Sequence, residues 1–222
     1  MNARVISGKE VAENILSNDL RARVEKLKDK DIVPKLVVIL VGEMKASASY
    51  VAQKEKFAGK AGIESEVRRF EDTIKEQEIL DEIKKINSDA SIHGVIVQLP
   101  LPKHISVTKV LNSIDPSKDV DGFTPNNVGK LFLGEDTLVS CTPKGIMSIL
   151  QSANVDLTGK NVTVIGRSNI VGKPVSILCQ QQNATVTMCH SKTRDINAKL
   201  ADADIIIVAA GVPKFINGDQ IP

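Results

Sequence analysis

The sequence predicts an α/β protein of two parallel-sheet domains flanking a cleft, and three observations carry that prediction. Short apolar, β-branched runs alternate with longer amphipathic or charged stretches from Lys35 to Val208, the pattern of strands joined by crossover helices in βαβ units. A break at Asp121-Gly122 separates a first series of such units from a second. The second series contains Asn161-Val-Thr-Val-Ile-Gly-Arg-Ser-Asn-Ile-Val-Gly-Lys-Pro174, a strand-like run breaking into a glycine-bounded turn that leads toward a helix. Residues 1–122 and 123–222 are the expected domains.

Taken in order, Ser7 followed by Glu10 has capping-box spacing and opens a helix through about Leu27. Lys35-Leu-Val-Val-Ile-Leu-Val-Gly42 reads as a strand buried on both faces and stopped by glycine. A helix from Ala46 to Ala61, a strand from Ser65 to Phe70, a charged helix from Ile74 to Ile86 and a strand from Ile92 to Gln98 follow. Pro100 and Pro102 end that strand, and Val107 to Ile114 reads as a short helix. Beyond Gly122 come a helical link, a helix from Pro143 to Ala153, the glycine turn, a strand from Ala184 to His190 and a strand from Asp204 to Ala209. Crossovers in such units are right-handed.

Composition narrows the function classes. The 222 residues carry 29 Lys+Arg against 27 Asp+Glu, a net charge of +2 with the signs interspersed, which points to neither nucleic acid nor an anionic membrane. No apolar run approaches the roughly 20 residues that span a bilayer. The opening Met-Asn-Ala-Arg is followed by no hydrophobic signal region. Cys141, Cys179 and Cys189 have no metal-ligand spacing, so no metal site is expected, and an odd number of cysteines suits a reducing, cytoplasmic setting.

The glycine turn is where a phosphate would sit, because glycine admits the backbone close to a pyrophosphate and helix N-terminal amides favour an anion. This makes the second domain Rossmann-like. Gly166 opens the turn, Ser168 stands where the usual middle glycine falls, and Gly172 comes one residue late. Where NAD proteins carry an acidic residue at the end of the next strand, this chain has Cys189, His190, Ser191, Lys192 and Thr193. With Arg167 in the turn, that edge offers donors and positive charge for a ribose 2′-phosphate, so NADP is the expected cofactor.

In the first domain, Tyr50 and Lys54 are four apart on one helix and share a face. They start at the carboxyl end of a strand, where ligands of parallel sheets collect and where Gln98 also arrives. A lysine partly withdrawn from water there is suited to general acid–base work, and Gln98 could hold it without adding a charge. Aspartates before glycine are usually turn formers, but an Asp121 facing the cleft could accept two hydrogen bonds from an amino-substituted heterocycle. His93 reads as a strand residue with a satisfied ring and His104 as surface loop.

Six strings then occur in order: Ser47-Ala-Ser-Tyr50-Val-Ala-Gln-Lys54, Ile92-His-Gly-Val-Ile-Val-Gln-Leu-Pro-Leu-Pro102, Lys118-Asp-Val-Asp-Gly122, Cys141-Thr-Pro-Lys-Gly145, Gly166-Arg-Ser-Asn-Ile-Val-Gly-Lys-Pro174 and Cys189-His-Ser-Lys-Thr193. Together they resemble the bifunctional methylenetetrahydrofolate dehydrogenase/cyclohydrolase family over nearly the whole chain. The resemblance implies oxidation of 5,10-methylenetetrahydrofolate by NADP and hydrolysis of the methenyl product to 10-formyltetrahydrofolate. It implies Lys54 as general acid/base of the hydrolysis, Gln98 as its partner, Tyr50 stacked on the folate ring and Asp121 on the pterin. Val51, Ala52, Gln53, Val97 and Leu99 join the substrate site, and Thr142, Gly166, Arg167, Ser168, Gly172, His190 and Ser191 the cofactor site, with Arg167 and Ser191 at the 2′-phosphate. A homodimer through the cofactor domain is implied as well. In that family the chain runs on past the equivalent of Pro222, so the expectation is a fragment or truncated product, with an inactive remnant that binds NADP or folate as the alternative.

Overall fold

The computed structural model describes residues 3–43 and 45–221. They divide into two compact units, residues 9–127 and residues 128–221 with 3–8. An N-terminal helical run starts directly after Ser7: α1 (Gly8–Ile15) passes through a π-type turn at Leu16–Leu20 into α2 (Arg21–Lys28).

The first unit is a three-stranded parallel sheet of order β2-β1-β3, formed by β1 (Lys35–Val41), β2 (Glu64–Phe70) and β3 (Gly94–Val97). The crossovers are α3 (Lys45–Ala61) and α4 (Glu76–Ser88), and α5 (Val107–Asn112) follows β3. The central strand alternates its side chains between two cores. Val37, Ile39 and Val41 pack with Ile79, Ile83 and Ile86 of α4 and with Val95 and Val97. Val38 and Leu40 pack with Val51 of α3 and Ile96. Both faces are covered, which is why β1 reads as an unbroken apolar run. Strand β3 is shorter than the Ile92-to-Gln98 run, although the backbone continues its pairing on both sides: His93 N–H donates to Lys35 O at 2.9 Å and Gln98 N–H to Ile39 O at 2.9 Å.

The second unit repeats the plan, with a parallel sheet of order β5-β4-β6 from β4 (Asn161–Ile165), β5 (Thr185–Cys189) and β6 (Ile205–Val208). Helix α6 (Pro125–Leu133) leads in, and α7 (Cys141–Ser152), α8 (Gly172–Gln181) and α9 (Ile196–Ala201) complete the unit. Val162 and Val164 pack toward Ile146, Met147 and Leu150 of α7 and Val175 and Cys179 of α8. On the other face, Ile165 packs with Cys189 and Leu200, and Thr163 donates to Lys199 O at 3.0 Å.

Several helices depart from the sequence-based expectation: the first is interrupted by the π-type turn, and α4 lies two residues later than Ile74 to Ile86 at both ends. Helix α7 begins at Cys141, two residues before the expected start at Pro143. Proline is tolerated there because first-turn amides have no intrahelical acceptor to lose. Helix α9 was not expected at all; it is one and a half turns long and opened by Asp195, whose carboxylate accepts from Ala198 N–H at 3.1 Å. No helix among the described residues is long and apolar enough to cross a membrane.

Candidate active site

Strand β1 ends at Val41 and delivers the chain to α3, while β3 ends one residue before Gln98. These two ends bring together residues 44 positions apart: Lys54 Nζ donates to Gln98 Oε1 at 3.2 Å, and both side chains are partly buried. The other end of the same amide donates from Gln98 Nε2 to Leu99 O at 2.8 Å. The glutamine is therefore held with its oxygen toward the amine, and it accepts from Lys54 without contributing charge. Tyr50, one turn earlier on α3, is 63% exposed, presenting an aromatic ring beside the amine. The Leu99–Pro100 peptide is cis, and an open cavity of about 450 Å³ lies at the same strand ends, lined by Val41, Gly42, Glu43, Asp72, Pro100, Leu101 and Pro102.

The side chains of Val51 and Val97 are 0% and 3% exposed and pack in the two cores on either face of the sheet, so any part of theirs in a substrate site would be played by backbone. Ala52 and Gln53 are exposed and Leu99 is partly buried.

The turn bearing Asp121 is built by a neighbour that sequence reasoning took only as part of a motif. Asp119 is 1% exposed, and its Oδ2 accepts from Thr124 N–H at 2.7 Å and from Asn127 Nδ2 at 2.9 Å. Its carbonyl accepts from Gly122 N–H at 3.0 Å. Val95 N–H donates to Lys118 O at 2.8 Å, so this segment continues the sheet beside β3. Val120 packs on the cluster that holds Val51. Asp121 is thus partly buried in a turn seated on the core that also seats the Tyr50–Lys54 turn of α3.

In the second unit, the glycines of the turn are required by close approach. Gly166 has φ +126°, and a Cβ there would lie 2.4 Å from Ala209 O. A Cβ on Gly172 would lie 2.2 Å from Gly166 O. Ser168 changes how the start of α8 works: its hydroxyl oxygen accepts from Val171 N–H at 3.1 Å and Gly172 N–H at 3.4 Å, and its carbonyl accepts from Lys173 N–H at 3.0 Å. These amides were expected to be available to an anion, and the serine side chain caps them instead. Arg167 and Ser168 are exposed at the rim.

Gly166 N–H donates to Cys189 O at 2.9 Å, and Ile165 is paired with Cys189. The register puts the Arg167 turn beside the His190–Thr193 turn. His190 is partly buried, whereas Ser191 and Lys192 are exposed. Burial pushes the Cys189 thiol up, leaving a neutral thiol at the base of this edge. Thr142 is exposed in the first turn of α7. Buried Ser140, which the sequence reading did not single out, donates through its hydroxyl to Ile170 O at 2.9 Å and so ties the start of α7 to the glycine turn. Of the two histidines read as structural, His93 accepts from Lys35 N–H through Nδ1 at 3.2 Å and His104 Nε2 lies 2.9 Å from Ile74 O.

A parallel α/β unit whose strands end at an amine–amide pair, followed by a parallel α/β unit with a tight glycine turn at its central strand, defines the class of two-domain dinucleotide-dependent α/β proteins. The chain belongs to the tetrahydrofolate dehydrogenase/cyclohydrolase family: residues 6–121 match its catalytic domain and residues 140–222 its NAD(P)-binding domain. It is 51% identical over 219 residues to the bifunctional protein FolD of Exiguobacterium sibiricum, covering 99% of this chain and 79% of that protein. The FolD protein of Staphylococcus aureus is 49% identical over 221 residues, which is 100% of this chain and 77% of that protein. Among solved structures, the bifunctional FolD enzyme of Campylobacter jejuni superposes with a TM-score of 0.94 at 43% identity, over 96% of this chain and 76% of that one. The Trypanosoma brucei FolD structure, complexed with NADP cofactor and inhibitor, gives a TM-score of 0.94 at 35% identity over 100% of this chain and 76% of that one.

Proposed function

We propose that this chain catalyses two consecutive steps of one-carbon folate metabolism, the NADP-dependent oxidation of 5,10-methylenetetrahydrofolate to 5,10-methenyltetrahydrofolate and its hydrolysis to 10-formyltetrahydrofolate. The observation that carries this reading is the Lys54–Gln98 hydrogen bond at the strand ends of the first unit, in a chain of this family. Folate binding is assigned to residues 9–127 and NADP binding to residues 128–221. Tyr50 offers its exposed ring as a stacking surface, Asp121 accepts hydrogen bonds from the pterin, and Leu99 supports the ring.

In the hydrolytic step, water adds to the electrophilic methenyl carbon and must lose a proton as the carbon–oxygen bond forms. The Lys54 amine is the group placed to take that proton. The lysine returns it to the departing ring nitrogen, which takes the electron pair of the breaking carbon–nitrogen bond, and the remaining hydroxyl proton is lost to solvent, leaving the formyl group on the other nitrogen. Gln98 keeps the amine aimed throughout. The oxidation needs mainly positioning of its reactants, so it does not depend on Lys54 as a proton carrier.

The residues of the glycine turn fit NADP. The space that a Cβ would fill at Gly166 and Gly172 is already taken by backbone, so the turn is tight, and Arg167 and Ser191 supply donors for a 2′-phosphate. When bound, the nicotinamide accepts the hydride. Thr142, Ser168, Gly172 and His190 complete the cofactor site. The chain acts in the cytoplasm as a homodimer associating through the cofactor unit, in keeping with the family resemblance, and sedimentation analysis checks the dimer.

The test is to supply 5,10-methylenetetrahydrofolate with NADP and follow NADPH and 10-formyltetrahydrofolate together. Both products should accumulate. Folded protein that binds NADP yet forms neither product would replace this reading with a non-catalytic, ligand-binding one.

A further inference from the structure

We propose that Thr193 is a positioning residue that sets the preference for NADP over NAD, by holding the His190–Thr193 turn so that Ser191 and Lys192 face the 2′-phosphate. The proposal rests on the assignment of Arg167 and Ser191 to that phosphate.

The geometry leads there from the end of β5. That strand is locked to β4 as far as Cys189, whose carbonyl accepts from Gly166 N–H at 2.9 Å. Immediately beyond, the chain folds back on itself through three internal hydrogen bonds. His190 N–H donates to Thr193 Oγ1 at 2.8 Å, Thr193 N–H donates to His190 O at 2.8 Å, and Lys192 N–H donates to His190 Nδ1 at 3.1 Å. The first two form a closed pair between the same residues, and only the Thr193 side chain makes the reciprocal bond possible. The turn follows directly on Cys189, the buried last residue of β5, so its start is fixed by the sheet. Thr193 itself is partly buried, while the residues between the two anchors, Ser191 and Lys192, are exposed.

The turn therefore uses its backbone and Thr193 for its own closure and leaves a hydroxyl and an ammonium to meet a ligand. NADP and NAD differ only by the 2′-phosphate. A change confined to the placement of these two side chains acts on the difference between the cofactors and not on what they share. A mainly structural contribution of Thr193 would weaken both cofactors alike, which separates the two roles.

The test is calorimetric titration of the whole chain with NADP+ and with NAD+, for the native protein, Thr193→Val, Thr193→Ser and Arg167→Ala. Valine keeps the shape and removes the acceptor, and its expected effect is a loss of about fivefold or more in NADP+ affinity, the scale of one net hydrogen bond. NAD+ affinity should change by less than about twofold, and serine, which restores the hydroxyl, should return NADP+ affinity to within about twofold of native. Should valine not be accommodated, Thr193→Ala makes the same comparison. If Arg167→Ala leaves the NADP+/NAD+ ratio unchanged, the 2′-phosphate assignment and the proposal fall together. If Arg167→Ala lowers the ratio while Thr193→Val leaves it at the native value, the assignment stands and the positioning role of Thr193 is overturned.

Discussion

Lys54 Nζ donates to Gln98 Oε1 at 3.2 Å, and the other end of the Gln98 amide is held by Leu99 O. The amine of α3 is thus oriented by a neutral side chain at the end of β3, a partner that directs it without an ion pair. Replacing Gln98 by Ala removes the acceptor but leaves the amine. Cyclohydrolase kcat should fall by about tenfold, in line with the loss of one well-placed hydrogen bond, with a smaller change in NADP affinity. Separate assays of the two steps and an NADP titration check this. An equal loss in all three would mean that the substitution disturbs the fold and not the amine.

Asp119 anchors the turn that carries Asp121, through Thr124 N–H and Asn127 Nδ2 on one carboxylate oxygen. Asp119→Ala leaves the buried Thr124 N–H without its acceptor and Asn127 Nδ2 without one of its two, Pro116 O remaining, which costs on the order of 1 to 3 kcal/mol. A fall of about that size in unfolding free energy by urea denaturation is expected, with weaker folate binding in the protein that remains folded. Unchanged stability would show that water replaces the carboxylate freely.

Gly172 packs against the carbonyl of Gly166 so closely that any side chain collides with backbone. Gly172→Ala should therefore destabilise by about 2 to 3 kcal/mol, as overpacking does in other tight sites, and should weaken NADP binding. Thermal unfolding and cofactor titration measure the two effects. A stable variant with native NADP affinity would remove the close-approach argument for this glycine.

Acid sensitivity has an identifiable source on the outer strand of the first sheet. Hydrogen bonds from Arg68 and then Lys35, each at 2.8 Å, hold the Glu66 carboxyl down at about 2. Because the folded value lies below the ordinary carboxylate value of 4.5, the stabilisation is fully present above the unfolded pKa and is lost as pH falls from there through about 2. The carboxylate is more than a third exposed, so water screens the effect. Glu66→Gln should be less stable than the native protein at pH 7, and the gap in urea midpoint should narrow steadily below about pH 4.5. A gap independent of pH would assign the loss to packing.

What the sequence made legible divides by range. The parallel βαβ order was readable because β1 is apolar from Leu36 to Val41, β4 is β-branched from Val162 to Ile165, and the intervening helices are amphipathic, patterns set by neighbours a few residues apart. Tyr50 and Lys54 could be placed on one face of a helix for the same reason. The distance from Lys54 to Gln98 could not be read, because it depends on how two strand ends align. The same limit hid Ser140, whose acceptor is 30 residues away. It also hid that the Val51 and Val97 side chains face the two cores, since a helix or strand position says which residues share a face and not which face meets the core. Ser168 shows a subtler gap: a serine in place of the usual glycine was visible, but its hydroxyl capping Val171 and Gly172 required the turn's three-dimensional path.

The most direct measurement is to assay both activities of Lys54→Met. Methionine keeps most of the length of the side chain and removes the proton-carrying amine. Cyclohydrolase activity should fall by at least about 100-fold, the scale of a lost general acid–base group, while a measurable share of the dehydrogenase activity survives with native NADP affinity. If both activities fall together by the same factor in a protein that remains folded and binds NADP normally, Lys54 is not the proton carrier of the hydrolytic step.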